Sequence, residues 1–360
     1  MRINKLLIQI PIFFLLGGLA TFSLEPYKVY PLIFCFSFVI FKICRVNNLK
    51  ETFYLSFSFA FGWFFLGLYW IANAFLVKSG FYLILMPIAA ALLPLFLALI
   101  WSSAFIIAKL ISSKIGEAHI NIIILLSIFE YLRGKLLHFP WLMPGNFFSS
   151  NEILIQGFSF IGSYSMNVVF LLIVIIPILI IKYKKLSTLP IFIFLIPIII
   201  LFTNSLNRYL NKPFPSYNKS HLINVIQPNI RQGIKWKKAL KSDHHQKLID
   251  LSKLKHNNNL NSILNIWPET AFLGLFPRDE SLLKDLSLRF LNPKKNEYLF
   301  TGSISKNKNN YYNSALLLNS KAQIKNVYNK NILVPFGEFI PLRKLLPRFN
   351  FFENKIDFSS

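Results

Sequence analysis

The chain has 360 residues, of which 54% are hydrophobic, 16% aromatic and only 15% charged. That is too apolar for an ordinary water-soluble protein, where apolar residues run at about 45–50% even with glycine counted. The formal net charge of +24 would suit nucleic acid or an anionic membrane surface. No basic helix or stacking motif marks a nucleic-acid partner, and the basicity goes with a chain-wide richness in Ile, Lys, Asn and Phe.

Nearly all the excess of apolar residues lies before Asn204. A spanning helix needs about 20 mostly apolar residues, and the hydrophobic runs predict seven spans: about Leu6–Ser23, Tyr30–Ile43, Thr52–Phe75, Leu83–Ile111, Ile120–Leu132, Gly162–Ile181 and Leu189–Leu206. The first begins on Arg2 and Lys5 and shows no clean small-residue cleavage site. It therefore reads as a retained span and not as a removable signal.

The loops give the spans an orientation. With a cytoplasmic N-terminus, the inner segments carry Arg2, Lys5, Lys42, Arg45, Lys50, Lys109, Lys114, Lys182, Lys184 and Lys185. The outer short loops carry only Lys28, Lys78, Arg133 and Lys135. Positive charge stays on the cytoplasmic side, and an odd number of spans then places everything after Asn204 outside the cytoplasm. The expected organisation is a bundle over residues 1–206, a linker over 207–220 and a water-facing domain over 221–360.

Two features of the bundle bear on chemistry. Cys35 and Cys44 sit in or beside the second span, without the spacing of a zinc site or a disulfide framework. They read as small apolar residues facing lipid or a helix. Glu130 and Arg133 close the fifth span, just before Phe139-Pro140-Trp141. A charge at membrane depth costs roughly 2.5–3.5 kcal/mol at the midplane, and residues three apart on a helix can pair. Two readings stand: an interfacial anchor with Trp141 in the aromatic belt, or a loop built on Glu130, Arg133 and Trp141 that shapes a lipid-facing site.

From about His221 the pattern changes. Short β-rich runs are predicted at Leu222–Ile226, Ser262–Ile266, Tyr298–Thr301, Ala315–Leu318 and Ile324–Tyr328. Between them, Trp236, Leu240, Leu248, Leu251 and Leu254 fall at helical spacing, as do Leu282, Leu283, Leu286 and Phe290. Strands alternating with helices predict an α/β or layered α+β domain. His244 and His245, beside Asp243, are expected on the polar side of the first helix; with no further ligand spaced to join them, no metal site is expected.

Two segments of this domain can carry chemistry. In Ile266-Trp267-Pro268-Glu269-Thr270 an apolar run ends in a proline and a carboxylate, placing Glu269 just past a strand end, where α/β sheets bind ligands. A carboxylate there can serve as a base; taken alone it reads as a solvated loop residue. The second segment, Tyr328 to Pro341, holds Lys330 and Glu338 in an apolar run shaped by Pro335, Gly337 and Pro341. An anchored lysine can stabilise a developing oxyanion; taken alone it reads as a surface residue beside a strand.

Taken together, Glu269 after Trp-Pro and Lys330 before Val334-Pro335-Phe336-Gly337-Glu338 resemble the nitrilase (carbon–nitrogen hydrolase) superfamily, whose sites use a Glu, a Lys and a Cys. With the bundle, Glu130-Tyr131-Leu132-Arg133-Gly134, and Gln227-Pro228-Asn229-Ile230 leading to Lys235-Trp236, the whole chain resembles the bacterial apolipoprotein N-acyltransferase family. The resemblance implies a multi-pass helical bundle in the inner membrane, followed by a periplasmic nitrilase-like α/β (αββα sandwich) domain, incomplete in this chain. It implies Glu269 as general base, Lys330 as oxyanion stabiliser, Glu338 as supporting carboxylate and Trp236 as an aromatic near the substrate entrance. The implied reaction moves an acyl chain from a membrane phospholipid, through a cysteine thioester, to the α-amino group of a diacylglyceryl-cysteine lipoprotein. A monomer without cofactor is implied.

The family's nucleophilic cysteine falls beyond Ser360, and neither Cys35 nor Cys44 can replace it. The expectation is therefore a C-terminally truncated chain, inactive as it stands. A membrane-tethered amidase and a non-catalytic membrane scaffold are the competing readings.

Overall fold

The structure, a computed structural model, describes residues 2–76, 81–112, 118–183, 189–211, 220–253, 260–335, 337–339 and 357–359. Among the positions singled out above, Lys78, Lys114, Lys184, Lys185, Leu254, Phe336 and Pro341 lie outside the described residues. The chain divides into two compact units, Met1–Phe214 and Pro215–Ser360.

The first unit is helical: α1 (Arg2–Thr21), α2 (Phe34–Cys44), α3 (Leu49–Gly67), α4 (Asn73–Leu76), α5 (Phe81–Leu110), α6 (Ala118–Leu136), α7 (Phe158–Tyr183) and α8 (Leu189–Leu210). Sequence hydropathy anticipates the long ones. The expected span Thr52–Phe75 is broken, however, because α3 stops at Gly67 and a short 3-10 turn at Tyr69–Ala72 follows. Among the described residues, two stretches, Met86–Leu110 and Leu154–Ile181, are long and apolar enough to cross a membrane by length and composition. Leu6–Thr21, Tyr30–Cys44 and Leu195–Leu210 are shorter apolar helices.

The interior of this unit is aromatic. Phe36 packs edge-on against Phe59, Trp63, Trp101 and Phe170. Polar groups are also inside: Ser56, Ser102, His119, Glu130, Arg133 and Asn167 are buried. The outward positions are large and apolar, among them Ile88, Leu92 and Phe96 on α5, Ile124 and Ile128 on α6, and Ile196, Ile199 and Ile200 on α8. Water would penalise that much exposed aliphatic surface, whereas lipid does not.

The second unit is one mixed sheet with helices α9 (Gln232–Lys235), α10 (Lys241–Ser252) and α11 (Glu280–Leu288). Its strands are β1 (His221–Val225), β2 (Ser262–Ile266), β3 (Phe272–Phe276), β4 (Asn296–Asn307), β5 (Asn310–Leu318) and β6 (Ile324–Asn329). The order is β1-β2-β4-β5-β6, parallel from β1 to β4 and antiparallel from β4 to β6. Strand β3, which the sequence pattern did not suggest, pairs with the far half of β4.

One sheet face packs on helices. Leu299, Leu316 and Leu318 of the sheet meet Leu248 and Ile249 of α10 and Leu283 and Leu286 of α11. The other face carries an apolar row, Val225–Ile266–Phe300–Leu317, in register across four strands. Val225 is 70% exposed and its neighbour Ile223 64%.

Helix α10 departs from the expected pattern. Trp236 and Leu240 precede it, in α9's cap and a 3-10 turn, and Trp236 is exposed. His244 and His245 are not on its polar side but buried, because the inward stripe runs His244, His245, Leu248, Ile249 and Ser252. His245 stacks on Phe272 and its Nε2 accepts the Leu273 N–H at 3.1 Å. Burial, with Lys241 and His244 nearby, lowers its pKa to about 4.

Candidate active site

The sheet creates a notch. Strand β2 pairs with β4 up to Ile266↔Phe300, and β3 resumes pairing at Phe272↔Ser303. Between them the chain leaves the sheet as the turn Trp267–Ala271 and carries Glu269 outward. Trp267 anchors this turn: its N–H reaches the Phe300 carbonyl at 2.8 Å, and its buried indole donates to Ser252 Oγ at 2.9 Å. Thr270 takes a left-handed φ of 49°, a conformation that costs energy in a β-branched residue. Opposite the turn stands Gly302. A Cβ there would lie 2.4 Å from the Thr270 nitrogen and 2.7 Å from the Glu269 Cα, so only glycine lets the turn close.

Lys330 enters from the end of β6. Its N–H bonds the Asn313 carbonyl at 2.9 Å, extending the β5–β6 pairing by one residue. Its Nζ stands 3.0 Å from Glu338 Oε1 and 3.6 Å from Glu269 Oε1. Glu338 is held from both sides: Oε2 accepts the Val334 N–H at 2.8 Å, and Oε1 accepts Asn313 Nδ2 at 2.7 Å. The same Asn313 amide donates to Glu269 Oε1. Glu269 and Glu338, far apart in sequence, thus converge on one amide, and Lys330 Nζ lies close to both carboxylates.

The two carboxylates differ in exposure, 65% for the Glu269 side chain against 13% for Glu338. Glu338 is the anchored partner and Glu269 the accessible one. Partial burial works against the Lys330 ammonium, but the Glu338 hydrogen bond and the charges of both carboxylates outweigh it and raise its pKa. Lys330 is therefore a fixed cation at neutral pH. Burial likewise opposes ionisation of Glu338, yet the hydrogen bonds from Asn313, Val334 and Lys330 prevail and lower its pKa.

A cavity of about 220 Å³ opens beside Glu269, walled by Gln227, Asn229, Gln232, Lys235 and Pro268 among others. Lys235 Nζ donates to Thr270 Oγ1 at 2.6 Å and to the Glu269 carbonyl at 3.1 Å, bracing the turn from the cavity side. Burial lowers its pKa, opposed by the Glu269 charge. Asn229, on the same wall, also has a left-handed φ, 48°. Trp236 is exposed and lies under the Lys235 ammonium, 5.6 Å from ring centroid to Nζ.

Glu130, Arg133 and Trp141 belong to the helical unit. Glu130 and Arg133 pair on α6 as expected for residues three apart, at 2.8 and 2.7 Å, and both are buried. Trp101 Nε1 donates to Glu130 Oε1 at 2.7 Å, and Arg133 Nη1 donates to the carbonyls of Phe139 and Trp141 at 2.8 and 2.9 Å. The pair thus shapes its loop from beneath. Of the three, only Trp141 is exposed, and its ring packs edge-on against Trp70. Cys35 and Cys44 lie on α2 of this same unit. Among the described residues no group of three or more His, Cys, Asp or Glu side chains could hold a metal.

Two site residues escaped the sequence reading. Asn313 precedes the predicted strand Ala315–Leu318 and becomes a strand residue only in the longer β5, Asn310–Leu318, where Asn is disfavoured. Lys235 belongs to the Lys235-Trp236 pair, and its bracing of the Glu269 turn appears only in the fold.

Residues 16–176 match the family model described as the apolipoprotein N-acyltransferase N-terminal domain. Curated relatives named apolipoprotein N-acyltransferase align with almost the whole chain. One from Wigglesworthia glossinidia brevipalpis is 34% identical over 93% of this chain and 66% of its own length. Those from Rickettsia typhi (29%; 93% and 67%) and Rhodopseudomonas palustris (27%; 94% and 66%) are similar. The chain therefore spans about two thirds of the length of these relatives. A crystal structure of an N-terminal amidase with an Asn-Glu-Ala peptide overlaps 31% of this chain and 28% of its own at 21% identity, with a TM-score of 0.24, too slight a likeness to define a fold.

Proposed function

We propose that this chain, which belongs to the apolipoprotein N-acyltransferase family, forms the membrane bundle and the Glu–Lys half of an acyl-transfer site for lipoprotein maturation. The observation that carries the reading is the placement of Lys330 within 3.6 Å of an exposed Glu269 and 3.0 Å of an anchored Glu338. In this reading Glu269 is the base. It takes the proton of an attacking thiol, whose sulfur forms a bond to the acyl carbonyl of a phospholipid ester. Lys330 steadies the oxyanion of the tetrahedral intermediate. Collapse breaks the ester bond, and Glu269 returns the proton to the departing lysophospholipid oxygen. The α-amine of a diacylated lipoprotein then attacks the thioester and gives a proton to Glu269. The sulfur leaves and takes the proton back from Glu269, restoring thiol and carboxylate, and the amide keeps the acyl chain.

Cys35 and Cys44 sit on α2 of the helical unit, so the reading takes the thiol from sequence beyond Ser360. The same extension is assigned a second β-layer, giving an αββα sandwich. The apolar row of Val225, Ile266, Phe300 and Leu317 supports this, since such a face is stable only when covered. The bundle is read as multi-pass in the inner membrane with the sheet unit periplasmic. Its aliphatic exterior and the loop-charge asymmetry support that topology. Trp236 is read as the aromatic at the substrate entrance.

The test is complementation. The complete gene product is expressed in bacteria depleted of their own N-acyltransferase, and a lipoprotein's N-terminal peptide is weighed. A mass increase of one acyl chain supports the reading; persistent diacyl peptide with stable, membrane-inserted protein refutes it.

A further inference from the structure

Consecutive residues of α6 serve opposite faces. Glu130 and Arg133 turn inward, while Tyr131 and Lys135 are exposed. Tyr131 meets Tyr164 of α7 edge to face, with ring centroids 5.2 Å apart. Together with Ser127, Ile128, Ser165 and Val168 these two tyrosines line a lateral groove of about 250 Å³ between the helices. Gly134 makes room for it: a Cβ there would come within 2.2 Å of the Tyr164 hydroxyl. The groove also has a charged end. Lys135 Nζ stands 5.9 Å from the Tyr164 ring centroid, one turn beyond Tyr131 and toward the loop that Arg133 holds.

We infer that this groove binds one acyl chain of a phospholipid, with the lipid phosphate at Lys135. The assignment rests on the membrane reading of the bundle. Polarity runs in the order a lipid requires: an ammonium at the loop end, two amphipathic tyrosines, then Ile128 and Val168 beside small hydroxyl residues. From Lys135 to Ser127 is eight residues of helix, about 12 Å, close to the roughly 15 Å of one hydrocarbon leaflet. Small side chains let the tail lie against the helices, as they let helices approach one another in membranes. The charge complements a phosphate, which is why the occupant is a phospholipid and not another apolar helix.

The complete protein is reconstituted in phosphatidylcholine vesicles containing a phosphatidylglycerol with a photoactivatable diazirine in its tail, irradiated, digested and analysed by mass spectrometry. Labelling concentrated on Ile128, Tyr131, Tyr164 and Val168 is expected. Lys135→Glu should reduce it by about five-fold or more, and Ser165→Phe should abolish it by filling the groove. Labelling at Ile88 and Leu92 of α5 should stay unchanged in both variants. Equal labelling of α5 and the groove in the parent protein, or insensitivity to both substitutions, overturns the assignment. Absence of label everywhere, with protein free of the vesicles, overturns the membrane reading and the groove with it.

Discussion

Asn313 donates its side-chain amide to Glu338 Oε1 at 2.7 Å from the strand whose main chain also fixes Lys330. It gives Glu269 the same donor. One residue therefore sets the separation of Glu269, Lys330 and Glu338. Hydrogen bonds to charged groups are worth about 1.5–3 kcal/mol each. Asn313→Ala in the complete protein should lower acyl transfer roughly 10- to 100-fold, with far-ultraviolet circular dichroism unchanged. Asn313→Asp should be worse, because a third carboxylate would crowd the other two. Near-normal turnover in Asn313→Ala would remove the residue from the site.

Gly302 should tolerate no side chain. Gly302→Ala forces the Trp267–Ala271 turn away from β4, at a cost of about 1–3 kcal/mol typical of overpacking. Hydrogen exchange at Thr270 and Ala271 should accelerate, and acyl transfer should fall with it. Unchanged exchange in that turn would contradict the close approach.

The buried pair on α6 should behave as a unit. Removing one partner of a buried ion pair leaves an uncompensated charge and costs about 3–5 kcal/mol. Arg133→Met should lower the thermal midpoint in detergent and free the loop at Phe139–Trp141, whose carbonyls it holds. Arg133→Met combined with Glu130→Gln should recover part of the loss. A double variant less stable than Arg133→Met alone would argue against a compensated pair.

The sheet unit should lose stability in mild acid through His245. Its folded pKa, about 4, lies below the ordinary 6.5, so between these values the unfolded chain binds the extra proton. Stability is complete above about pH 6.5 and declines as pH falls toward 4, by at most roughly 3 kcal/mol. Asp279, lowered to about 2 chiefly by its hydrogen bond with Arg278, keeps its stabilising contribution down to about pH 4 and loses it only below that, so the windows separate. Chemical denaturation across pH 4–7 should show a slope that His245→Gln flattens; an equal slope in the variant would refute the assignment.

The long helices of the first unit are legible because length and hydropathy suffice to mark them, and β2 and the Ala315–Leu318 part of β5 because their apolar runs are bounded by polar residues. Strand β3 was not: Phe272–Phe276 follows the Thr270 turn without a break and contains Gly274, so it reads as loop until β4 is there to pair with it. His244 and His245 misled because composition places histidine on the polar side, whereas α10's inward stripe is set by Leu248 and Ile249. Glu269, Lys330 and Glu338 were readable as motif residues, but their convergence depends on Asn313 and Gly302, whose roles exist only across strands.

The most direct test of Glu269 and Lys330 is transfer of an isotope-labelled acyl chain from phospholipid to a diacylated lipopeptide by the complete protein in membranes. Glu269→Gln and Lys330→Met should each slow transfer by at least about 100-fold while the protein still inserts and folds. Transfer within a few-fold of the parent rate in either variant would contradict the account.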